Sequence, residues 1–178
     1  MTDHMVRSLT GSCPDEQRVD TFVRPKWKIV NHGSALCLAR STYPGDLRVY
    51  QQDYRGFGRQ HWAFFEVEGS PEYFRISDVT GAVITIDKDH RSENGAAAIL
   101  DWWRGDDDFH MQWKLRATNS PEVYVLVSRH SNKILEVDQN NLHSPDARIQ
   151  QWDPTSSSNQ AWVFLQAPNE PALKAGTT

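Results

Sequence analysis

The sequence predicts an all-β protein in which one four-stranded unit occurs three times. Two observations support this: a motif ending in tryptophan recurs at even spacing, and short apolar runs alternate with turn residues in every copy. The three motifs are Arg59-Gln60-His61-Trp62, His110-Met111-Gln112-Trp113 and Asn159-Gln160-Ala161-Trp162. Their tryptophans are 51 and 49 residues apart, and a fixed period of this length indicates a repeat architecture.

Four strand-like segments follow one another in the same order in each repeat. The first segments are residues 27–31, 73–77 and 124–128. The second segments are residues 36–38, 84–86 and 135–137. The third segments are residues 49–52, 99–102 and 149–152. The fourth segments begin at the closing tryptophans and are residues 62–65, 113–115 and 162–165. Period-two patterning bounded by Gly, Pro, Ser, Asn and Asp predicts strands, whereas no segment has the periodicity of a long helix.

Three such units predict a β-trefoil, in which six strands form a barrel and three hairpins cap one end. A three-bladed propeller is disfavoured because it would leave sheet edges exposed, and propellers usually have at least about four blades. We expect one domain over residues 25–167, with repeats at about 25–69, 70–119 and 120–167. Residues 1–24 and 168–178 are predicted to be tails.

An alignment of the three repeats distinguishes residues that recur in every copy, and are expected to be structural, from residues that differ between copies. The closing tryptophans recur in every copy, so we expect them in the core, where an indole buries a large apolar area. Gln60 and Gln160 are expected to satisfy nearby backbone groups. The alignment matches Cys37 with Thr85 and Glu136, which indicates a small strand residue rather than a nucleophile. It also makes the turn before Cys37 two residues shorter than its counterparts.

Composition favours a soluble domain without a nucleic-acid or membrane partner. The net charge is −4 with no Lys/Arg stripe, whereas a phosphate backbone requires a basic face. No apolar run approaches the roughly eighteen residues of a membrane-spanning helix. Only two cysteines are present, Cys13 and Cys37, and residues 1–24 lack the apolar segment of a secretory signal. We expect a cytoplasmic protein, with unconventional secretion and a Cys13–Cys37 bridge as open alternatives.

The Gln-x-Trp repeats and their strand spacing resemble the ricin B-chain type (R-type) lectin family. The resemblance covers residues 27–166 and is clearest in the third repeat. It implies a sugar-binding trefoil that is not an enzyme, with one potential sugar site per repeat. In this family the site uses an acid in the second strand, a glutamine and an aromatic platform in the third, and an Asn-Gln pair before the closing tryptophan.

Carried over by position, the resemblance implies a main sugar site in the third repeat. Its residues are Glu136, Gln150, Trp152, Asn159 and Gln160, with Asp138 as an alternative carboxylate. The family's usual acid is aspartate, which is one methylene shorter than Glu136. Galactose presents a C–H face that stacks on an indole, while carboxylate and amide groups bind its hydroxyls. The implied ligands are glycans ending in galactose or N-acetylgalactosamine.

The other two repeats keep less of this set. The residues retained in the second repeat are Asp87, Trp102 and His110, with Trp102 matched to Trp152. We expect a weaker or differently selective site there. The first repeat lacks both the acid and the aromatic platform, so we expect its site to be silent.

The sequence leaves several other functions open. Loops 41–47, 88–96 and 140–148 would contact a protein if the chain were a trefoil protease inhibitor. The run Asp106-Asp107-Asp108 is acidic, but its spacing is not that of a known calcium cage. The seven histidines lack the spacing of zinc ligands. No cofactor is implied and no catalytic set is visible. The oligomeric state is not readable, although a homodimer would crosslink glycans.

Overall fold

The structure, a computed structural model, describes residues 26–105 and 107–168. The strands of this part are β1 (Trp27–Asn31), β2 (Cys37–Arg40), β3 (Val49–Gln52), β4 (Ala63–Val67), β5 (Ser70–Ser77), β6 (Val83–Ile86), β7 (Ala98–Asp101), β8 (Trp113–Ala117), β9 (Val123–Ser128), β10 (Ile134–Val137), β11 (Ile149–Trp152) and β12 (Trp162–Gln166). Its short 3-10 helices are Gly58–Gln60, Lys88–His90, Phe109–Met111, Gln139–Asn141 and Ser158–Gln160.

The same described residues contain no α-helix, and none of their helices is long and apolar enough to cross a membrane. The predicted tails, residues 1–24 and 168–178, lie outside the described residues except for Pro168. Cys13 and Asp106 also lie outside them.

Six strands form a closed ring. β1 pairs with β12, β12 with β9, β9 with β8, β8 with β5, and β5 with β4. A bridge between Trp27 and Trp62 joins β1 to the chain just before β4 and closes the ring. The other strands form the hairpins β2–β3, β6–β7 and β10–β11, which further bridges hold together as a cap. The fold is therefore the predicted β-trefoil.

Each closing tryptophan joins one hairpin of the cap to the barrel through a hydrogen bond of its indole. All three are 0% exposed, which confirms that they belong to the core. Each indole Nε1 donates a hydrogen bond to a carbonyl in the first strand of its hairpin. These bonds join Trp62 to Leu38 (3.0 Å), Trp113 to Ile84 (3.0 Å) and Trp162 to Leu135 (2.9 Å). Because the bond recurs in every repeat, its three acceptor residues occupy equivalent positions.

This equivalence corrects the alignment of the first repeat. Since Leu38 is equivalent to Leu135, the residue equivalent to Glu136 is Ala39. The predicted match of Cys37 with Glu136 is wrong by two residues, and the turn before Cys37 is not shortened. Consecutive apolar residues fit a strand in more than one register, and the indole bond selects one of them. Cys37 itself is a buried free thiol, and burial raises its pKa to about 11.

The second repeat departs from its predicted alignment by one residue. Trp152 lies opposite Ile134, the first residue of β10, and Asp101 lies opposite Val83, the first residue of β6. Asp101 is therefore the residue equivalent to Trp152, and the predicted match of Trp102 with Trp152 is wrong. A shift of one residue moves a side chain to the other face of a strand. The aromatic residue of the second repeat consequently does not occupy the platform position.

The motif glutamines have the predicted structural role. Gln60 accepts a hydrogen bond from a backbone N–H of the preceding loop (2.8 Å) and donates one to a carbonyl of that loop (2.6 Å). Gln160 makes the same pair of bonds in the third repeat (2.8 and 2.8 Å). Met111, which replaces glutamine in the second repeat, is fully buried. The motif glutamine therefore holds the loop before the closing tryptophan in the first and third repeats.

Two other buried glutamines tie the cap loops to the neighbouring repeat. The Gln51 side chain donates to two carbonyls in loop 140–148 (2.6 and 3.0 Å). The Gln151 side chain donates to two carbonyls in loop 88–96 (2.8 and 2.9 Å). These bonds satisfy the buried amides and join successive repeats. Both loops belong to the set that the inhibitor alternative would use for contact with a protein.

We predict that Trp113→Phe lowers the free energy of unfolding by about 2–3 kcal/mol, because it removes the donor to the Ile84 carbonyl and opens a small cavity. Urea denaturation followed by circular dichroism measures the change. Trp102→Phe is the matched control, since Trp102 is 62% exposed and a surface change should cost less than about 0.5 kcal/mol. Equal effects of the two substitutions would contradict the role assigned to the indole bond.

Candidate functional site

A cleft of about 310 Å³ lies in the third repeat, between the β10–β11 hairpin and the loop before Ser158–Gln160. We call it the third-repeat cleft. Its lining residues are Glu136, Asp138, Gln139, Asn140, Gln150, Trp152, Thr155, Ser157 and Asn159. The structure therefore brings together five of the six residues predicted for the main site. The sixth, Gln160, is hydrogen-bonded to Glu136.

Glu136 is a buried carboxylate surrounded by three side-chain amides. It is only 3% exposed. Its Oε1 accepts a hydrogen bond from Nε2 of Gln150 (2.9 Å). Its Oε2 accepts from Nδ2 of Asn159 (3.2 Å) and Nε2 of Gln160 (2.9 Å). Strand pairing places Gln150 directly opposite Glu136. A buried charge requires such partners, so this carboxylate orients the amides of the cleft.

Asn159 ends in an acceptor atom that has no partner. Its Nδ2 donates to Glu136 and to the Val137 carbonyl (2.9 Å), and these two bonds use both amide hydrogens. Its Oδ1 is buried and has no hydrogen-bond partner. A buried polar atom without a partner is rare and costs free energy. Asn159 lines the cleft, and its Oδ1 is the one acceptor among the Glu136, Gln150, Asn159 and Gln160 side chains that is buried without a partner.

Trp152 is the exposed aromatic residue of the cleft, at 39% exposure. It lies against a loop of the second repeat: a Cβ added at Gly95 would be 3.5 Å from Cζ3 of the Trp152 indole. Gly95 has a φ of 79°, a conformation that favours glycine. The Cζ3 edge of the indole therefore lies close to the backbone of the neighbouring repeat, with room for glycine between them.

Arg148 and Asn94, which were not predicted from the sequence, hold this second-repeat loop in place. Arg148 Nη2 donates to the Gly95 carbonyl and to Oε1 of Gln150 (3.0 Å). The Asn94 amide accepts from the backbone N–H of Asp153 (3.0 Å) and donates to its carboxylate (2.8 Å). The Asn94-Gly95 dipeptide is a turn signal in the sequence. Which strand end that turn would contact depends on how the repeats close into a ring.

Asp138 and Asp87 are equivalent residues, and each is the N-cap residue of a short 3-10 helix. The Asp138 carboxylate accepts from the backbone N–H of Asn140 (3.1 Å), and the Asp87 carboxylate accepts from the backbone N–H of Asp89 (3.3 Å). This capping role accounts for an aspartate at both positions. Asp138 also lines the third-repeat cleft, and its second carboxylate oxygen accepts from Nδ2 of Asn141 (2.9 Å).

The residues predicted for a second site lie in different surroundings. Trp102 faces the β5–β6 turn, since a Cβ added at Gly81 would be 3.7 Å from Cζ3 of its indole. His110 is 6% exposed. Burial, with a smaller contribution from the nearby Arg91 charge, lowers the pKa of His110 and favours the neutral imidazole. Asp87 caps a helix, as described above. Ligand binding by this set stays a prediction.

In the first repeat, local side chains occupy the position of the amide network. Tyr50 is equivalent to Gln150, and its hydroxyl donates to the Asp46 carboxylate. The same carboxylate accepts from Ser41 Oγ (2.8 Å) and Arg48 Nε (2.9 Å). The hydrogen bonds from Arg48 and then Tyr50 hold the pKa of Asp46 well below its usual range. This cluster satisfies its own polar groups, and the silence of the first repeat stays a prediction.

No three His, Cys, Asp or Glu side chains are grouped as metal ligands within residues 26–105 and 107–168. The calcium alternative concerns residues 106–108, of which Asp106 lies outside the described part.

Comparison with known proteins identifies the family. The model of the family described as ricin-type β-trefoil lectin domain-like matches residues 58–152 and 110–174. The chain belongs to this family, and membership supports carbohydrate binding. A search of curated proteins gave no match.

Several solved structures have the same fold. The designed threefold-symmetric protein ThreeFoil is 26% identical, with a TM-score of 0.69 over 79% of this chain and 98% of that one. The Macrolepiota procera ricin B-like lectin, solved in complex with lactose, is 13% identical, with a TM-score of 0.68 over 83% and 99% of the two chains. An exo-β-1,3-galactanase from Clostridium thermocellum is 23% identical, with a TM-score of 0.69 over 84% of this chain but only 31% of the enzyme.

We predict that Glu136→Gln lowers the free energy of unfolding by about 1–3 kcal/mol, because the new amide would direct N–H groups toward donors already in place. Chemical denaturation monitored by tryptophan fluorescence measures this change. The control is Glu72→Gln on the exposed part of β5, where the same substitution should have almost no effect. A loss no larger than that of the control would show that the three amides do not depend on the Glu136 carboxylate.

Proposed function

We propose that the protein is a non-enzymatic lectin that binds terminal galactose or N-acetylgalactosamine through the third-repeat cleft. The observation that carries this proposal is the combination of an exposed indole, Trp152, with a buried amide and carboxylate network. That network leaves the Asn159 Oδ1 acceptor unpaired. A pyranose offers both a C–H face for the indole and hydroxyl groups for the network.

The donors and acceptors that remain unused in the network favour a neutral ligand that carries hydroxyl groups. Both amide hydrogens of Asn159 are used, and so are both of Gln160, which donate to Glu136 and to a backbone carbonyl. Gln150 Nε2 has one hydrogen left after its bond to Glu136. Free acceptor capacity remains on Asn159 Oδ1, Glu136 Oε1 and the Asp138 carboxylate. The network therefore favours a ligand that donates hydrogen bonds, and two carboxylates oppose an anionic sugar.

The exposed indole of Trp152 favours galactose-type sugars in particular. The axial 4-hydroxyl of galactose leaves its opposite face apolar, and Trp152 offers a partly exposed indole to such a face. Stacking removes apolar surface from water while the hydroxyl edge turns toward Asn159 and Glu136. The lactose bound to the Macrolepiota lectin ends in galactose, which agrees with this ligand class. A shallow site of this kind corresponds to millimolar affinity, or about −4 kcal/mol.

We further propose that the protein resides in the cytoplasm. The buried thiol of Cys37 agrees with a reducing compartment. Expression with a fluorescent tag in the source cells tests this, and localisation in the secretory pathway would contradict it.

We predict that Trp152→Ala abolishes binding to galactose-terminated glycans, with at least about a tenfold loss of affinity for free galactose. A glycan array followed by titration calorimetry measures both. Trp102→Ala is the matched control, because Trp102 is also exposed but faces the β5–β6 turn. It should leave third-repeat binding unchanged.

Retained galactose binding in Trp152→Ala, with a native circular dichroism spectrum, would refute the assignment of the cleft. Array signal confined to sialylated or mannose-terminated glycans would preserve the lectin class and refute the galactose assignment.

A further inference from the structure

A second, larger cleft of about 470 Å³ lies beside the third-repeat cleft. It is formed by the turn between β8 and β9, the turn between β1 and β2, and residues 154–158 of the loop before the last 3-10 helix. Hydroxyl and amide side chains dominate its rim: Thr118, Asn119, Ser120, Ser156, Ser157 and Ser158. We call it the serine cleft.

The threefold repeat shows that the fold does not require this cleft to be open. The junction of the same kind in the first repeat carries Phe57 before Gly58, and a Cβ at Gly58 would be 3.7 Å from Cγ1 of Val79. In the second repeat, the guanidinium of Arg129 stacks 4.3 Å from the ring centroid of Phe109. Large side chains, Phe57 with Val79 in the first repeat and Phe109 with Arg129 in the second, are therefore present at both of these junctions. The third junction, which adjoins the complete amide network, carries small polar residues instead.

Small residues are also required by the close approach of the two segments at the third junction. A Cβ added at Gly33 would lie 2.6 Å from Ser158 Oγ, so only glycine allows the β1–β2 turn to come this near the loop. Ser157 has φ −80° and ψ 155°. Its first-repeat counterpart Phe57 has φ −73° and ψ 144°. The backbone would therefore accept an aromatic residue at 157, and serine is not imposed by local geometry.

The loop of residues 154–159 separates the two clefts and contributes side chains to both. Thr155 and Asn159 line the third-repeat cleft, whereas Ser156 and Ser158 line the serine cleft. Ser157 lines both. The two clefts therefore adjoin each other on either side of Ser157.

We propose that the serine cleft is an extension subsite, so that the ligand is an oligosaccharide whose terminal residue lies in the third-repeat cleft and whose next residues cross Ser157. This inference rests on the proposed lectin function. The lining offers hydroxyl and amide partners for sugar hydroxyls and an apolar floor, Val123, Val125 and Ile134, for C–H faces. Its lining, all within the described residues, contains no carboxylate, so the second subsite differs electrostatically from the first.

The test compares free galactose with galactose-terminated di-, tri- and tetrasaccharides of several linkages, using calorimetry on the full-length chain. The blocking variant is Asn119→Phe, because Asn119 lines the serine cleft but not the third-repeat cleft. The matched control is Thr42→Phe in an exposed loop of the first repeat. We expect at least one oligosaccharide to bind the unmodified protein about tenfold more tightly than galactose, as two added hydrogen bonds would give. Asn119→Phe should remove this advantage and leave galactose affinity unchanged, while Thr42→Phe should change neither.

The two proposals fail in different ways. If no oligosaccharide exceeds galactose, or if Asn119→Phe retains the full advantage, the extension subsite is refuted while the lectin function stands. If Trp152→Ala does not affect galactose binding, the site assignment under the proposed function is refuted. If neither galactose nor any oligosaccharide binds, both proposals are refuted. The control for folding is the thermal unfolding temperature of Asn119→Phe. If it equals that of the unmodified protein, a loss of the tighter oligosaccharide binding is due to the blocked cleft.

Discussion

The hydrogen bond from each closing indole to a hairpin carbonyl is the constraint on which the rest of the structure depends. It is made inside the core, where a lost partner is costly, and it recurs with nearly identical length in all three repeats. Once Leu135 is fixed as the acceptor of Trp162, the register of β10 is fixed, and strand pairing then places Gln150 opposite Glu136. The positions of Glu136 and Gln150 in the third-repeat cleft therefore follow from this bond.

Glu136 shows how one repeat became specialised without altering the common scaffold. The equivalent residues in the other repeats, Ala39 and Thr85, are uncharged, so the fold has no need of a carboxylate there. A buried charge rarely stabilises a protein by itself and requires complete hydrogen bonding. Three amides provide that bonding in the third repeat. The network is therefore a feature of the third repeat that the common fold does not require.

Sequence reasoning went furthest where a repeated residue had a single physical role. The strand order, the buried tryptophans and the residues gathered in the third-repeat cleft all followed from the repeat and its family resemblance. It failed where apolar residues were consecutive, as around Cys37 and before Trp102, because such runs fit a strand in either register. It also could not predict contacts between repeats. Neither the position of Gly95 beside Trp152 nor the placement of the loop between the two clefts is encoded in the spacing of any single copy.

Hydrogen bonds from Arg148 and Asp153 hold the second-repeat turn Asn94-Gly95 next to Trp152. The residues that line the third-repeat cleft all come from one copy, whereas the turn beside its indole comes from the copy before it. A single four-stranded peptide would therefore carry all of the lining residues and still lack that turn. The turn would be supplied only when such peptides assembled as a ring or were joined in one chain.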